Sequence, residues 1–70
     1  MNKELLQGLT NQIESLQDGG IINLVSFIED EGIEATEDIL MYLYDNTKHL
    51  NIKVKESINN TPQSIKVFAI

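Results

Sequence analysis

The 70-residue sequence predicts one α+β domain, three helices followed by a C-terminal β-hairpin. Three observations carry that prediction. Apolar residues recur at helical spacing as far as Leu50. Beyond Leu50 the apolar period shortens to two, the mark of strands. Clusters of Gly, Asp, Asn and Pro fall between the periodic stretches, where chain reversals belong. A hydrophobic fraction of 41% is enough to build a core and too high for a disordered chain. At this length a single core supplies only about 3–5 kcal/mol.

The first helix is expected over Asn2–Gln17. Leu5, Leu9, Ile13 and Leu16 form its apolar stripe, widened by Leu6, while Glu4, Asn11, Gln12, Glu14 and Ser15 face away. Gly8 inside it costs about 1 kcal/mol relative to alanine. Asp18-Gly19-Gly20 then ends it. Ile21–Glu31 fits two patterns: Ile21, Leu24, Val25 and Ile28 make a helical face, and Ile22, Leu24, Ser26 and Ile28 make a strand face. Glu29-Asp30-Glu31 disfavours a strand and Gly32 suits a helix end, so a second helix is expected, with Ile33 packing back after it. Thr36 caps a third helix to Leu50, with Glu37 and Asp38 in the first turn, where the helix dipole favours acids. Its buried face is Ile39, Leu40, Leu43, Thr47 and Leu50, and Lys48 and His49 fall in the last turn.

The hairpin is expected over Asn51–Ile58 and Ser64–Ile70. Ile52, Val54 and Ile58 alternate with Lys53, Lys55 and Ser57, and Ile65, Val67 and Ala69 alternate with Lys66, Phe68 and Ile70. Asn59-Asn60-Thr61-Pro62 reads as the turn, because Pro62 cannot donate to a central ladder. An isolated hairpin is marginal in water, so its Ile52, Val54, Ile65 and Val67 face must pack on the helices. Three helices followed by a hairpin resembles the order of a winged-helix domain. The resemblance is one of topology alone, with the hairpin as the wing and the third helix in the recognition position.

Charge is partitioned along the chain. The net charge is −6, yet Glu4 to Asp45 contains ten acids and no basic residue. Asn46 to Ile70 contains Lys48, Lys53, Lys55, Lys66, the single histidine, and one acid, Glu56. The acids concentrate at Glu29, Asp30, Glu31, Glu34, Glu37 and Asp38. Surface acids commonly serve only to solubilise. Glu37 and Asp38 also have a local role at a helix start, but Glu29, Asp30 and Glu31 oppose the dipole at a helix end by about 0.3–1 kcal/mol each. Something basic should offset them, either the hairpin lysines or a partner.

Several functions find little footing. Without cysteine there are no disulfides or thiolate sites, which fits a reducing compartment. The Met1–Leu6 start lacks a secretory pattern and no stretch approaches a membrane span, so a cytoplasmic protein without membrane contact is expected. The acids lack the alternation of a calcium loop, so no metal is expected. No nucleophile elbow or phosphate-binding glycine loop occurs and His49 stands at a helix end, so neither catalysis nor a cofactor is expected. Sequence-specific DNA reading is disfavoured, because the outward face of the third helix carries Glu37, Asp38, Met41 and Asp45. Ten isoleucines, seven asparagines and no arginine suggest an AT-rich coding sequence, as in a low-GC bacterium or its phage.

Apolar residues outside the core stripes are the remaining signal. Met41 stands among Glu37, Asp38 and Asp45, Tyr44 flanks that face, and Phe68 shares the lysine side of the hairpin. Methionine and aromatics anchor interfaces. The expected function is therefore a small acidic, non-enzymatic protein-interaction module, a regulator or inhibitor that binds a basic protein surface and forms a homodimer. Its binding residues would be Glu29, Asp30, Glu31, Glu34, Glu37, Asp38, Met41, Tyr44 and Phe68. The alternatives are a dimeric winged-helix DNA-binding or nucleoprotein component led by its lysine-bearing wing, a DNA-mimic inhibitor, and a structural subunit.

Overall fold

The computed structural model describes residues 3–16 and 19–68. Its elements are α1 (Lys3–Glu14), β1 (Ile21–Asn23), α2 (Leu24–Asp30), α3 (Glu37–Thr47), β2 (Ile52–Ile58) and β3 (Thr61–Val67). Together they make a small α+β domain of three helices on a three-stranded antiparallel sheet of order β1-β3-β2. The Cα radius of gyration, 11.0 Å, is that of a compact domain of this length.

The predicted helices-then-hairpin order is corrected by β1, which lies between α1 and α2 where a continuous helix over 21–31 was expected. Ile21, Ile22 and Asn23 pair with Lys66, Ile65 and Ser64 of β3. Two β-branched residues in succession favour this pleated pairing. Asn23 then switches the chain to helix. Its backbone is extended, at φ −87° and ψ 108°, while its Oδ1 accepts from the Ser26 N–H at 3.1 Å. The preceding glycines lead into the sheet as well. The Gly19 N–H donates to the Val67 carbonyl at 2.7 Å, and the Val67 N–H donates to that of Gly20 at 2.8 Å. Gly19 has φ +84°, a conformation that glycine adopts freely.

The end of α2 follows the sequence reading closely. Gly32, at φ +78°, donates to the Glu29 carbonyl at 2.8 Å, and Ile33 donates to that of Ile28 at 3.3 Å. These two bonds form a Schellman closure, and Ile33 packs back on the core. Helix α3 is capped by Thr36, whose hydroxyl accepts from the Ile39 N–H at 3.4 Å. It ends three residues short of Leu50, so Lys48 is its C-cap and His49 lies beyond its last turn.

Strand β3 starts at Thr61, three residues earlier than predicted, and contains Pro62. The turn is only Asn59-Asn60, with φ 52° and 66°, the pair of positive values a type I′ hairpin requires. Next to such a turn the Ile58–Thr61 pair exchanges hydrogen bonds and the Ser57–Pro62 pair does not. The absent N–H of Pro62 would thus point away from β2, and β1 reaches only as far as Ser64. Proline costs no ladder bond there. Farther along, the β2–β3 register shifts around Glu56 and then returns.

The core gathers Leu6, Leu9, Ile13, Leu24, Ile28, Leu40, Leu43 and Ile65, all buried, with Ile22, Ile52 and Val54 packed against it. The α1 stripe is rotated from the expected one. Leu6, Leu9, Thr10 and Ile13 are buried, whereas Leu5 and Leu16 are more than a third exposed. Leu16 lies past the helix end, and Thr10 enters the core because its hydroxyl donates to the Leu6 carbonyl at 3.0 Å. Thr47 does the same toward Leu43 at 2.8 Å. The outermost predicted positions, Asn2 and Gln17 of the first helix, Asp18 of its stop and Ala69 and Ile70 of the last strand, lie outside the described residues.

Two substitutions test these local accounts. A Cβ at Gly8 would meet no atom within 4 Å, so Gly8→Ala should stabilise the domain by about 0.5–1 kcal/mol. Asn23→Ala should destabilise it by about 1 kcal/mol, and Asn23→Asp should retain most of the cap. Urea midpoints at unchanged m-value measure both; an unaffected Asn23→Ala midpoint would refute the capping role.

Candidate functional site

The connection between α2 and α3 alternates inward and outward. Ile33 and Ala35 pack on the core, while Glu34 and Thr36 stay exposed. Apolar anchors thus hold the segment down while its acids face solvent. Glu29 and Asp30 occupy the last turn of α2, Glu31 is its C-cap, and Glu37 and Asp38 open α3; all five are exposed, as is Glu34. The six carboxylates form an arc around the junction of two helices. Glu37 and Asp38 meet the favourable end of a helix dipole, and Glu29, Asp30 and Glu31 meet the unfavourable end.

No ion pair joins a cation to the arc among the described residues. Among the described residues there are two ion pairs, Lys48–Asp45 at 3.1 Å and His49–Glu14 at 3.1 Å, the second charged only when the imidazole is protonated. Neither involves the arc. Lys53 and Lys66 are opposite one another across β2 and β3, and Ile21 is opposite Lys66 on β1. The adjacent row, Ile22, Ile65 and Val54, packs on the helices. By alternation, Ile21, Lys66 and Lys53 lie on the other face of the sheet. The sheet itself separates them from the helical layer.

Met41 and Tyr44 are half-buried on α3, and helical spacing sets Met41 beside Glu37, Asp38, Tyr44 and Asp45. The Lys48 ammonium lies 5.2 Å from the centre of the Tyr44 ring while it pairs with Asp45. Lys48, the C-cap of α3, is thereby engaged by side chains of its own helix. Phe68 is half-buried elsewhere. Its N–H donates to the Asn51 carbonyl at 2.8 Å, and the Lys66 ammonium stands 5.4 Å from its ring centre. The nine residues singled out in the sequence therefore divide into eight on the helical side and Phe68 on the outer sheet side.

The outer sheet face was missed as a unit because Ile21 read as a helical core residue. It is 61% exposed. Ile21 and Ile22 are both apolar, so the sequence carries no local signal of which of the two faces outward. Among the described residues, no group of three His, Asp or Glu side chains is placed to hold a metal ion, and no helix is long and apolar enough to cross a membrane. The chain was compared with protein-family models, curated proteins and solved structures, and it matches none of them.

Proposed function

We propose that this domain is a non-enzymatic protein-binding module, a small regulator or inhibitor whose α2–α3 arc docks on a basic protein surface. One observation carries the reading: six exposed carboxylates surround one helix junction with no ion pair to a described cation of the same chain. Long-range attraction would set the association rate, and half-exposed Met41 and Tyr44 would set the lifetime of the complex. A DNA-mimic inhibitor is the same reading with the basic surface specified as a nucleic-acid channel.

The element order α1-β1-α2-α3-β2-β3, with β3 between β1 and β2, supports a winged-helix assignment for this fold. In a winged-helix reader of DNA, α3 would supply the groove-facing side chains. Here α3 contains no lysine, and Glu37, Asp38 and Asp45 would meet phosphates unfavourably. A nucleic-acid reading therefore rests on the hairpin. Lys53, Lys55 and Lys66 offer three phosphate contacts, against about six to ten in a dedicated binder.

The test is capture of partners from a source-cell lysate by the immobilised wild-type chain and by the Glu37→Lys plus Asp38→Lys variant. Wild-type capture should fall as salt rises from roughly 50 to 300 mM, the range over which screening strengthens. The variant should capture less, with a flatter salt dependence. Duplex DNA that displaces the captured protein identifies mimicry. Direct duplex binding lost on Lys53→Glu plus Lys55→Glu would replace this reading with the nucleic-acid one.

A stability measurement separates binding from architecture. Glu31→Lys should raise stability by about 0.3–1 kcal/mol, because it places a cation at the negative end of α2. The same change should weaken capture. Lower stability together with unchanged capture would make the arc a structural feature instead.

A further inference from the structure

We propose that the outer face of the sheet, built on Lys53, Lys66 and Ile21, docks the acidic α2–α3 arc of a second copy of this chain. The proposal rests on the arc's being a binding surface, as argued above, and adds its complement.

The sheet face carries its own unresolved electrostatics. Lys53 and Lys66 are directly opposite in the β2–β3 register, where Cβ atoms stand about 4.5–5.5 Å apart and like charges repel. Neither forms an ion pair among the described residues; Lys66 leans on the Phe68 ring. The third member of the row is Ile21, whose apolar side chain is 61% in solvent. Two adjacent cations beside an exposed isoleucine and a half-buried phenylalanine match a ligand with clustered carboxylates next to an apolar group. The arc with Met41 has that composition.

Geometry makes the match intermolecular. The helices cover one face of the sheet and the lysines occupy the other, so the arc cannot fold onto Lys53 and Lys66 of its own chain. Two arcs brought together would set acids against acids, and two sheet faces would set Lys53 and Lys66 against their own kind with only Glu56, opposite Ser64 in the next outward row, to offset them. The favourable contact is heterologous, the arc of one copy on the sheet face of the next, and it leaves one arc and one sheet face free at the ends. Self-association would also cover arcs, and so compete with a basic partner.

Sedimentation velocity at low ionic strength tests this with neutral substitutions. The wild-type weight-average mass should rise with protein concentration and return to the monomer value at high salt. Lys53→Gln plus Lys66→Gln removes the sheet site, and Glu37→Gln plus Asp38→Asn weakens the arc. Each variant alone should remain monomeric. Their equimolar mixture holds one intact arc and one intact sheet face, so it should give a 1:1 dimer and no larger species. Lys53→Gln alone spares the Lys66–Phe68 contact and should weaken self-association about two- to fivefold.

A wild-type chain that stays monomeric, a mixture that stays monomeric, or self-association indifferent to Lys53 and Lys66 would each overturn the proposal. A lysine-rich synthetic peptide titrated by fluorescence anisotropy separates this failure from that of the preceding reading. If the peptide binds the wild type and not the Glu37→Gln plus Asp38→Asn variant, the arc stands and only the second-copy proposal falls.

Discussion

The constraint on which the rest of the domain depends is the two-sided pairing of β3. Both other strands hydrogen-bond to it, and the helical layer packs against its inward residues. A two-stranded hairpin is marginal in water, and three residues of β1 have no sheet of their own to join. Ile65 is fully buried at the row where β1, β3 and β2 meet, flanked by Ile22 and Val54. Sheet and core are therefore one cooperative unit: the residue that registers the strands also closes the hydrophobic cluster. Gly19 and Gly20 extend the same pairing to Val67, which ties the α1–β1 connection into it.

That strand also determines where charge can go. Alternation along β3 sends Ile65 and Val67 inward and Lys66 outward, and β2 repeats the pattern with Val54 and Lys53. Turning the lysines toward the acidic helices would require a one-residue slip, which would expose the core row at the same time. Hydrophobic burial thus enforces the separation of opposite charges, at the expense of ion pairs that would contribute little on a surface. Steric order outweighs Coulombic attraction here because each buried aliphatic side chain is worth about 1.5–3 kcal/mol, and an exposed ion pair is worth at most about 1 kcal/mol.

The legible parts of the fold were those encoded locally. Leu9 and Ile13 of the expected α1 stripe (whose Leu5 and Leu16 prove exposed), the Thr36 cap, the closure at Gly32 and Ile33, and the alternation of the hairpin all depend on neighbours within a few residues. The strand at Ile21–Asn23 does not. It is too short to display alternation, and its partners Ser64, Ile65 and Lys66 are distant in sequence, so nothing nearby distinguishes it from the first turn of α2. Pro62 misled for a related reason, since its place in β3 depends on how far β1 extends along the opposite edge. At the candidate site the acids were legible as exposed, because no apolar period includes them. Which lysines could reach them was a question of faces. The alternation of Lys53 with Val54 and of Lys66 with Ile65 already contained the answer, but only once the core side of the sheet was known.

The arc is thus a local conflict held in place by a consistent fold. Ile33 and Ala35 fix the connection, and the bonds at Gly32 and Ile33 satisfy the end of α2, so the backbone beneath the carboxylates is well determined. The side chains above it are arranged against the dipole of the helix that bears three of them. Sequences that fold reliably agree with their structures at most levels, and local violations concentrate at functional or strained sites. A 70-residue domain has little stability in reserve, so several acids at a helix end are a disproportionate burden for it. Solubility alone does not require that placement, because acids on the outer faces of α1 or α3 would supply the same charge without opposing a dipole. On the proposed reading, a cation from another molecule would complete the α2 terminus, satisfying the helix end and the carboxylates together.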